Sequence, residues 1–179
     1  MFLCQMSGIP GTGKSSLARQ ICKTTNAILL DVDIIKTSVL NKLENNINFN
    51  LAGKVAYEIV FALTNCNLEI GNSVVIDSPC SYDIIIEQGT ALTKKYNIPY
   101  KFIECYLDLK LLSELNRRRV EREILPSQKL NTPIDEDEYK TSTDGLKRPA
   151  EYEYLLIDTS PDIKKYIGTV IEYLNKRPE

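Results

Sequence analysis

Histidine is absent from the 179 residues. Any base in this protein therefore has to be a carboxylate, a lysine, a tyrosine or a thiol. Cysteine is sparse and scattered. Cys4, Cys22, Cys66, Cys80 and Cys105 are odd in number and form no C-x-x-C pair. That excludes a disulfide framework and a zinc knuckle, and it reads as reduced thiols in a cytoplasm. No apolar run approaches the roughly 20 residues of a membrane span. A basic excess is missing too: 22 Lys and Arg stand against 24 Asp and Glu, a net charge of -2. No field exists to draw in nucleic acid over a large footprint, although a local basic patch remains possible. The opening "MFLCQMSG" has no cationic leader, which speaks against a signal peptide. No internal repeat is visible. The length suits one domain, expected over residues 1–179, around one core.

What is present alternates. "FLCQMS" is a short apolar run ended by glycine, and "AILLD", "SVVID", "YKFIECYL" and "YLLID" are four more strand candidates. Between them lie helical patterns. Leu17, Ala18, Ile21 and Cys22 mark a helix over 13–25. Leu51, Val55, Ile59, Ala62, Leu63 and Cys66 form one stripe, so a long helix is expected over 51–70 with Gly71 as its stop. Further helices are expected over 82–96, over the charged stretch 109–123, and from Pro161 to Asn175. Strands apolar on both faces, with helices between, imply a parallel sheet covered on both sides. Residues 124–150 break the pattern with Pro126, Pro133, Pro149, Gly145 and the acidic run "DEDE". A polar stretch of this length reads as a lid, a binding loop or disorder. With the preceding helix it makes a lid region of about 109–150.

One loop explains the punctuation near the start. In "SGIPGTGKSS", Gly8, Gly13, Lys14 and Ser15 match G-x-x-x-x-G-K-[ST], the phosphate-binding loop. Phosphate oxygens need several backbone N–H groups aimed inward at once, and glycine lets the chain curl that tightly. The loop, Gly8, Ile9, Pro10, Gly11, Thr12, Gly13, Lys14, Ser15 and Ser16, follows a strand and opens a helix whose N-terminal partial charge adds to the site. Lys14 is expected to reach the β and γ phosphates, and the Ser15 hydroxyl to ligate Mg²⁺.

Three further constellations accompany it. "LLDVD" ends the second strand with Asp31 and Asp33, and ligands gather at the carboxyl ends of parallel strands. Asp33 is the candidate base for an attacking hydroxyl. Alternatively it caps the helix that follows, and Asp31 stands as the second candidate. "SVVIDS" closes its strand with Asp77, the layout of a carboxylate that holds Mg²⁺, or else a simple turn with "DSPCS". "ELNRRRVERE" sets Arg118 and Arg122 four apart on one helix face, leading into the irregular segment. They are candidates to bring positive charge to the γ-phosphate. Glu114, Glu121 and Glu123 offer the plainer reading of a solvated, paired face, and Arg117 and Arg119 are the rival arginines. Tyr57 and Tyr82 are possible pocket aromatics, with core packing as the alternative.

"GIPGTGKSSLA", an aspartate nineteen residues past the lysine, and an arginine-rich lid helix together resemble the small P-loop kinases. That group includes phage-type polynucleotide 5′-kinase, chloramphenicol phosphotransferase and zeta-toxin-like kinases. "LLDVDIIKTSVL", "VVIDSPCS" and "LLIDTS" resemble AAA-domain ATP-binding proteins of bacteria and plants, over most of the chain. The resemblance implies a three-layer P-loop NTPase fold with five parallel strands ordered 2-3-1-4-5. It implies ATP and Mg²⁺ as ligands, Asp33 as base, Arg118 and Arg122 as lid arginines, and Arg148 with Pro149 near the adenine. The acidic balance, and the lack of an attached phosphatase domain, depart from the polynucleotide-kinase pattern and count against a nucleic-acid substrate.

The expected activity is transfer of the γ-phosphate of ATP to a hydroxyl of a small molecule or nucleoside-type acceptor. The alternatives are a nucleotide-operated switch or accessory ATPase acting on a partner protein, and a polynucleotide 5′-hydroxyl kinase. Because the loop reads phosphates and not the base, ATP and GTP are not distinguished by it.

Overall fold

The computed structural model describes residues 1–43, 48–121, 125 and 132–176. Five strands are present: β1 (Leu3–Ser7), β2 (Ile28–Asp31), β3 (Val74–Asp77), β4 (Tyr100–Tyr106) and β5 (Leu155–Asp158). All are parallel, in the order β2-β3-β1-β4-β5. The helices are α1 (Lys14–Thr25), α2 (Val32–Lys42), α3 (Phe49–Glu69), α4 (Asp83–Tyr96), α5 (Leu112–Glu121), α6 (Glu136–Asp144) and α7 (Ile167–Asn175).

The continuous apolar strands are what a sheet covered on both faces needs, because side chains alternate across a strand. Phe2, Cys4 and Met6 pack on one side with Leu17, Ile21, Val170 and Leu174 of α1 and α7. Leu3, Val74, Ile76 and Phe102 pack on the other with Ala56, Val60 and Ile85 of α3 and α4. Each large apolar side chain among them, fully buried, contributes about 1.5–3 kcal/mol. The register puts Asp31 level with Asp77, and Ser7 level with Glu104. The strand ends that carry the candidate residues therefore share one edge of the sheet.

Three expectations are revised. The stripe Leu51–Val55–Ile59–Ala62–Cys66 does mark a helix, but α3 buries Ala52, Ala56, Val60, Phe61, Thr64 and Leu68 instead. Leu51, Ile59, Ala62, Leu63 and Cys66 are exposed. The charged helix begins later than expected: a single 3-10 turn, Leu109–Leu111, capped by Asp108, precedes α5. Within 124–150, the acidic run belongs to a helix. Asp135 caps α6 by accepting from the Glu138 amide at 2.8 Å, and Glu138 returns the favour to the Asp135 amide at 3.2 Å. This capping box, with acidic residues in the first turn, was the available signal.

Helix α5 and the segment after α6 are tied to the rest through a third apolar cluster, in which Ile9 of the glycine loop meets Leu107, Leu115 and Leu146. Asn116 bonds both the amide and the carbonyl of Ile134 at 2.9 and 2.8 Å, and the Tyr139 hydroxyl donates to the Leu107 carbonyl at 2.6 Å. Among the described residues no helix is long and apolar enough to cross a membrane.

Candidate functional site

A cavity of about 780 Å³ opens at the carboxyl ends of the strands. Ile9, Pro10, Gly11, Gly13, Lys14, Ser15 and Ser16 line it from the loop, Asp31, Asp33 and Ile34 from the β2–α2 junction, and Arg118 from the lid. A larger cavity, about 1010 Å³, lies at the opposite end of the sheet beside Met1, Phe2 and Lys101. It holds none of the motif residues, so chemistry and not size identifies the site.

The loop is held by its carbonyls. Ile9 O accepts from the Thr12 hydroxyl at 2.8 Å, Pro10 O from Arg119 at 3.1 Å, and Thr12 O from the Thr159 hydroxyl at 2.8 Å. The helix that follows has no acidic residue in its first turn and no side-chain cap. Its N-terminal amides and partial positive charge stay available to an anion. Two glycines are required by close approach. Gly8 sits at φ 133°, and a Cβ there would lie 2.5 Å from the Cys105 carbonyl oxygen. Gly11 sits at φ 95°, and its Cβ would meet Arg119 Cγ at 2.8 Å.

Lys14 donates to Asp77 Oδ1 at 2.7 Å. Burial by itself would push the Lys14 ammonium down, but the neighbouring Asp77 carboxylate more than offsets this, and the net shift is upward from the ordinary 10.5. Asp77 is almost fully buried, and its second oxygen, Oδ2, has no hydrogen-bond partner. A buried carboxylate oxygen without a partner is costly. Such an oxygen suits a Mg²⁺ ion that keeps several waters and is held by one carboxylate, a hydroxyl and substrate phosphates. Ser15 lines the cavity, whereas Asp77 lies behind its wall and is joined to it through Lys14. Among the described residues no cluster of three or more carboxylates or thiols could hold a metal alone.

Asp31, not Asp33, caps α2. Its Oδ1 accepts from the Asp33 and Ile34 amides at 3.0 and 3.2 Å. Burial, and next the Asp77 charge, push its carboxyl upward. Asp33 is thus relieved of capping and lines the cavity from the first turn of α2.

Three consecutive arginines of α5 take three different environments. Arg117 pairs with Glu114 at 2.8 Å and with Glu121 on the solvated side. Arg118 lines the cavity, bonds Glu114 at 2.8 Å, and donates to the Thr159 carbonyl at 3.1 Å. The Arg117 guanidinium, and next that of Arg118, hold the Glu114 carboxyl down to about 2. Arg119 is buried, reaching Pro10 O and Thr132 O at 3.1 Å each. Arg122 lies outside the described residues. Arg148 forks onto Glu104 with two contacts of 2.7 Å and is not among the residues lining the cavity. Tyr57 packs against the α3 side of the core, and Tyr82 is exposed at the start of α4; neither lines the cavity.

Sequence reasoning missed Thr159. It joins the loop, the end of β4 and Arg118 through its hydroxyl, amide and carbonyl. A threonine after a strand-ending aspartate carried only a weak signal. Arg19, which reaches Asp31 at 3.6 Å, and Tyr166 complete the wall.

A family model described as AAA domain matches residues 3–144. The chain belongs to the AAA domain family. Its fold is that of the small P-loop kinases, as solved structures bear out. A candidate kinase from Chloroflexus aurantiacus superposes with a TM-score of 0.73 at 18% identity, covering 97% of this chain and 98% of that one. Kti12 of Chaetomium thermophilum, solved with ADP-AlF3, gives 0.65 at 16%, covering 97% and 100%. The APS kinase of Mycobacterium tuberculosis, solved with AMPPNP and APS, gives 0.59 at 16%, covering 97% of each. No curated protein matches the chain in sequence.

Proposed function

We propose that this protein is an ATP-dependent phosphotransferase that moves the γ-phosphate of ATP to a hydroxyl of a small-molecule or nucleoside-type acceptor. The observation that carries the reading is the company kept in one cavity: Lys14, Ser15, Asp33 and Arg118 line it together. The loop amides and the α1 N-terminus cradle the phosphates. Lys14 is the cation for the β and γ phosphates, and Asp77 with Ser15 would hold Mg²⁺. When bound, that ion neutralises charge on the β and γ oxygens. Asp33 takes the proton of the acceptor hydroxyl as the new O–P bond forms and the bond to the β-phosphate oxygen breaks. Arg118, with Arg122 proposed beside it from the sequence, meets the charge on the transferring group. Burial pushes the Cys80 and Cys105 thiols up to about 12, so they are unreactive, which suits a cytoplasmic protein.

The test is a screen of hydroxylated metabolites, nucleosides and 5′-hydroxyl oligonucleotides with γ-labelled ATP. Label on a small hydroxylated product supports the proposal. Label found only in free phosphate, with every acceptor without effect, overturns it in favour of a switch. Label on the oligonucleotide ends alone overturns it in favour of a polynucleotide kinase.

A further inference from the structure

Thr159 follows β5 and is buried, and its hydroxyl, amide and carbonyl are all engaged by other parts of the site. A hydroxyl has one proton to give. Thr159 Oγ1 lies 2.8 Å from Thr12 O and 3.1 Å from Tyr106 O, and Tyr106 O already accepts the Thr159 amide at 3.0 Å. The shorter contact takes the proton, so the hydroxyl donates to the glycine loop.

A trans peptide points its C=O and its N–H in opposite directions. No peptide among the described residues is cis. With Thr12 O turned toward Thr159, the Gly13 N–H is turned the other way. Among the described residues nothing accepts from that N–H, and Gly13 lines the cavity. Gly13 has φ 74° and no Cβ, so the peptide plane between Thr12 and Gly13 meets little hindrance to turning over. The Thr159 hydroxyl is what holds it. The Thr159 carbonyl meanwhile accepts from Arg118 Nη1 at 3.1 Å. The other bond of Arg118 among the described residues is to Glu114 of its own helix, so Thr159 is its tie to the loop side of the cavity.

We propose that Thr159 is a positioning residue for phosphoryl transfer, fixing the Gly13 amide and the Arg118 guanidinium relative to one another. The proposal rests on the phosphotransferase reading. Thr159 moves no proton and acts only through those two donors. Misplacing such a donor by about 1 Å costs up to about a hundredfold in rate. Lys14 and the other loop amides still hold ATP, so the loss falls on turnover.

Three variants test this. Thr159→Val keeps the shape and loses the hydroxyl, Thr159→Ser keeps the hydroxyl and loses the branch, and Thr159→Ala loses both. The rate measured is loss of label from γ-labelled ATP, to water or to any acceptor of the screen, per molecule that binds nucleotide. In Thr159→Val and Thr159→Ala, kcat should fall by about tenfold to a hundredfold while KM for ATP moves by less than about threefold. Thr159→Ser should recover most of that kcat. Thr159→Val should cost several-fold less in an Arg118→Ala background than in wild type, because residues acting as one unit are not additive. A ranking by shape, with Thr159→Val near wild type and Thr159→Ser near Thr159→Ala, overturns the proposal in favour of packing. A lowered melting temperature with kcat unchanged, or a raised KM in place of the lost kcat, overturns it equally. Strict additivity with Arg118→Ala overturns the link between the two donors. Wild-type protein that never removes the label overturns the phosphotransferase reading and this proposal with it. Every other failure leaves that reading standing.

Discussion

The glycine loop and α5 pack side by side, both line one cavity, and they are built by opposite means. The loop works through its backbone: carbonyls of Ile9, Pro10 and Thr12 are tied back, and the start of α1 is left uncapped. The lid works through side chains, and three adjacent arginines reach solvent, cavity and core in turn. Backbone chemistry demands particular residues at fixed spacing, because only glycine fits where Gly8 and Gly11 approach their neighbours. An arginine's duty depends on a helix rotation of about 100° per residue, which no short motif records. The two halves are nevertheless joined. Arg119 holds Pro10, and Arg118 holds the residue that holds Thr12.

The largest expected effect lies on the loop side. A ligand at a hundred times its dissociation constant stabilises the native state by about 2.7 kcal/mol. Lys14→Ala should erase most of that rise in melting temperature with Mg·ATP, while the ligand-free protein stays folded. An unchanged ligand shift would break the assignment of the loop.

Next comes the carboxylate between the two regions. Asp33→Asn should bind ATP nearly as wild type and lose roughly a hundredfold or more in transfer. Its background hydrolysis of ATP by water should fall less. Asp77→Asn should lower transfer and hydrolysis together, since the metal serves both. Comparing the two rates in each variant separates base from metal ligand. Near-normal transfer in Asp33→Asn would return the role to Asp31 or to the switch reading.

The lid arginines sharpen the contrast further. Arg118→Ala should lower turnover by tens- to hundreds-fold with little change in nucleotide affinity, on the scale of a lost charge-stabilising donor. Arg119→Ala should instead destabilise the fold by roughly 2 kcal/mol, because a buried guanidinium and its hydrogen bonds to the Pro10 and Thr132 carbonyls are lost. Arg117→Ala, on the solvated face, should change neither. Denaturant melts and turnover on the same three proteins give the answer. Equal small effects at all three would dissolve the distinction among them.

The smallest effect is a pH dependence of the ligand-free protein. Lys14 has its ammonium raised above the ordinary 10.5 by Asp77, against the pull of burial. A raised lysine contributes stability that is complete below its unfolded value and is lost as pH rises through the folded one. Wild-type melting temperature should therefore fall more steeply than that of Lys14→Met as pH climbs past 10.5. Parallel curves would show that the 2.7 Å contact adds nothing to folding.

What the sequence determined by itself is whatever depends on local rules. Strand-by-strand apolar runs dictate a sheet buried on both faces, and "GIPGTGKSS" dictates a tight glycine turn that opens an uncapped helix. Asp31 and Asp77 close neighbouring strands of the parallel sheet, so the meeting of those ends was legible, and Asp33 follows in the first turn of α2. Tertiary structure decided what depends on which way an element is turned. Two carboxylates two residues apart in "LLDVD" could each cap or catalyse, and only the entry of α2 assigns the cap to Asp31. The stripe read on α3 faces outward, and Ala52, Ala56, Val60, Phe61, Thr64 and Leu68 are buried in its place. Arg148 is held on Glu104 by a two-point ion pair that no spacing in the sequence announces. Periodicity measures that a helix has an apolar side; close packing in three dimensions decides which side is buried.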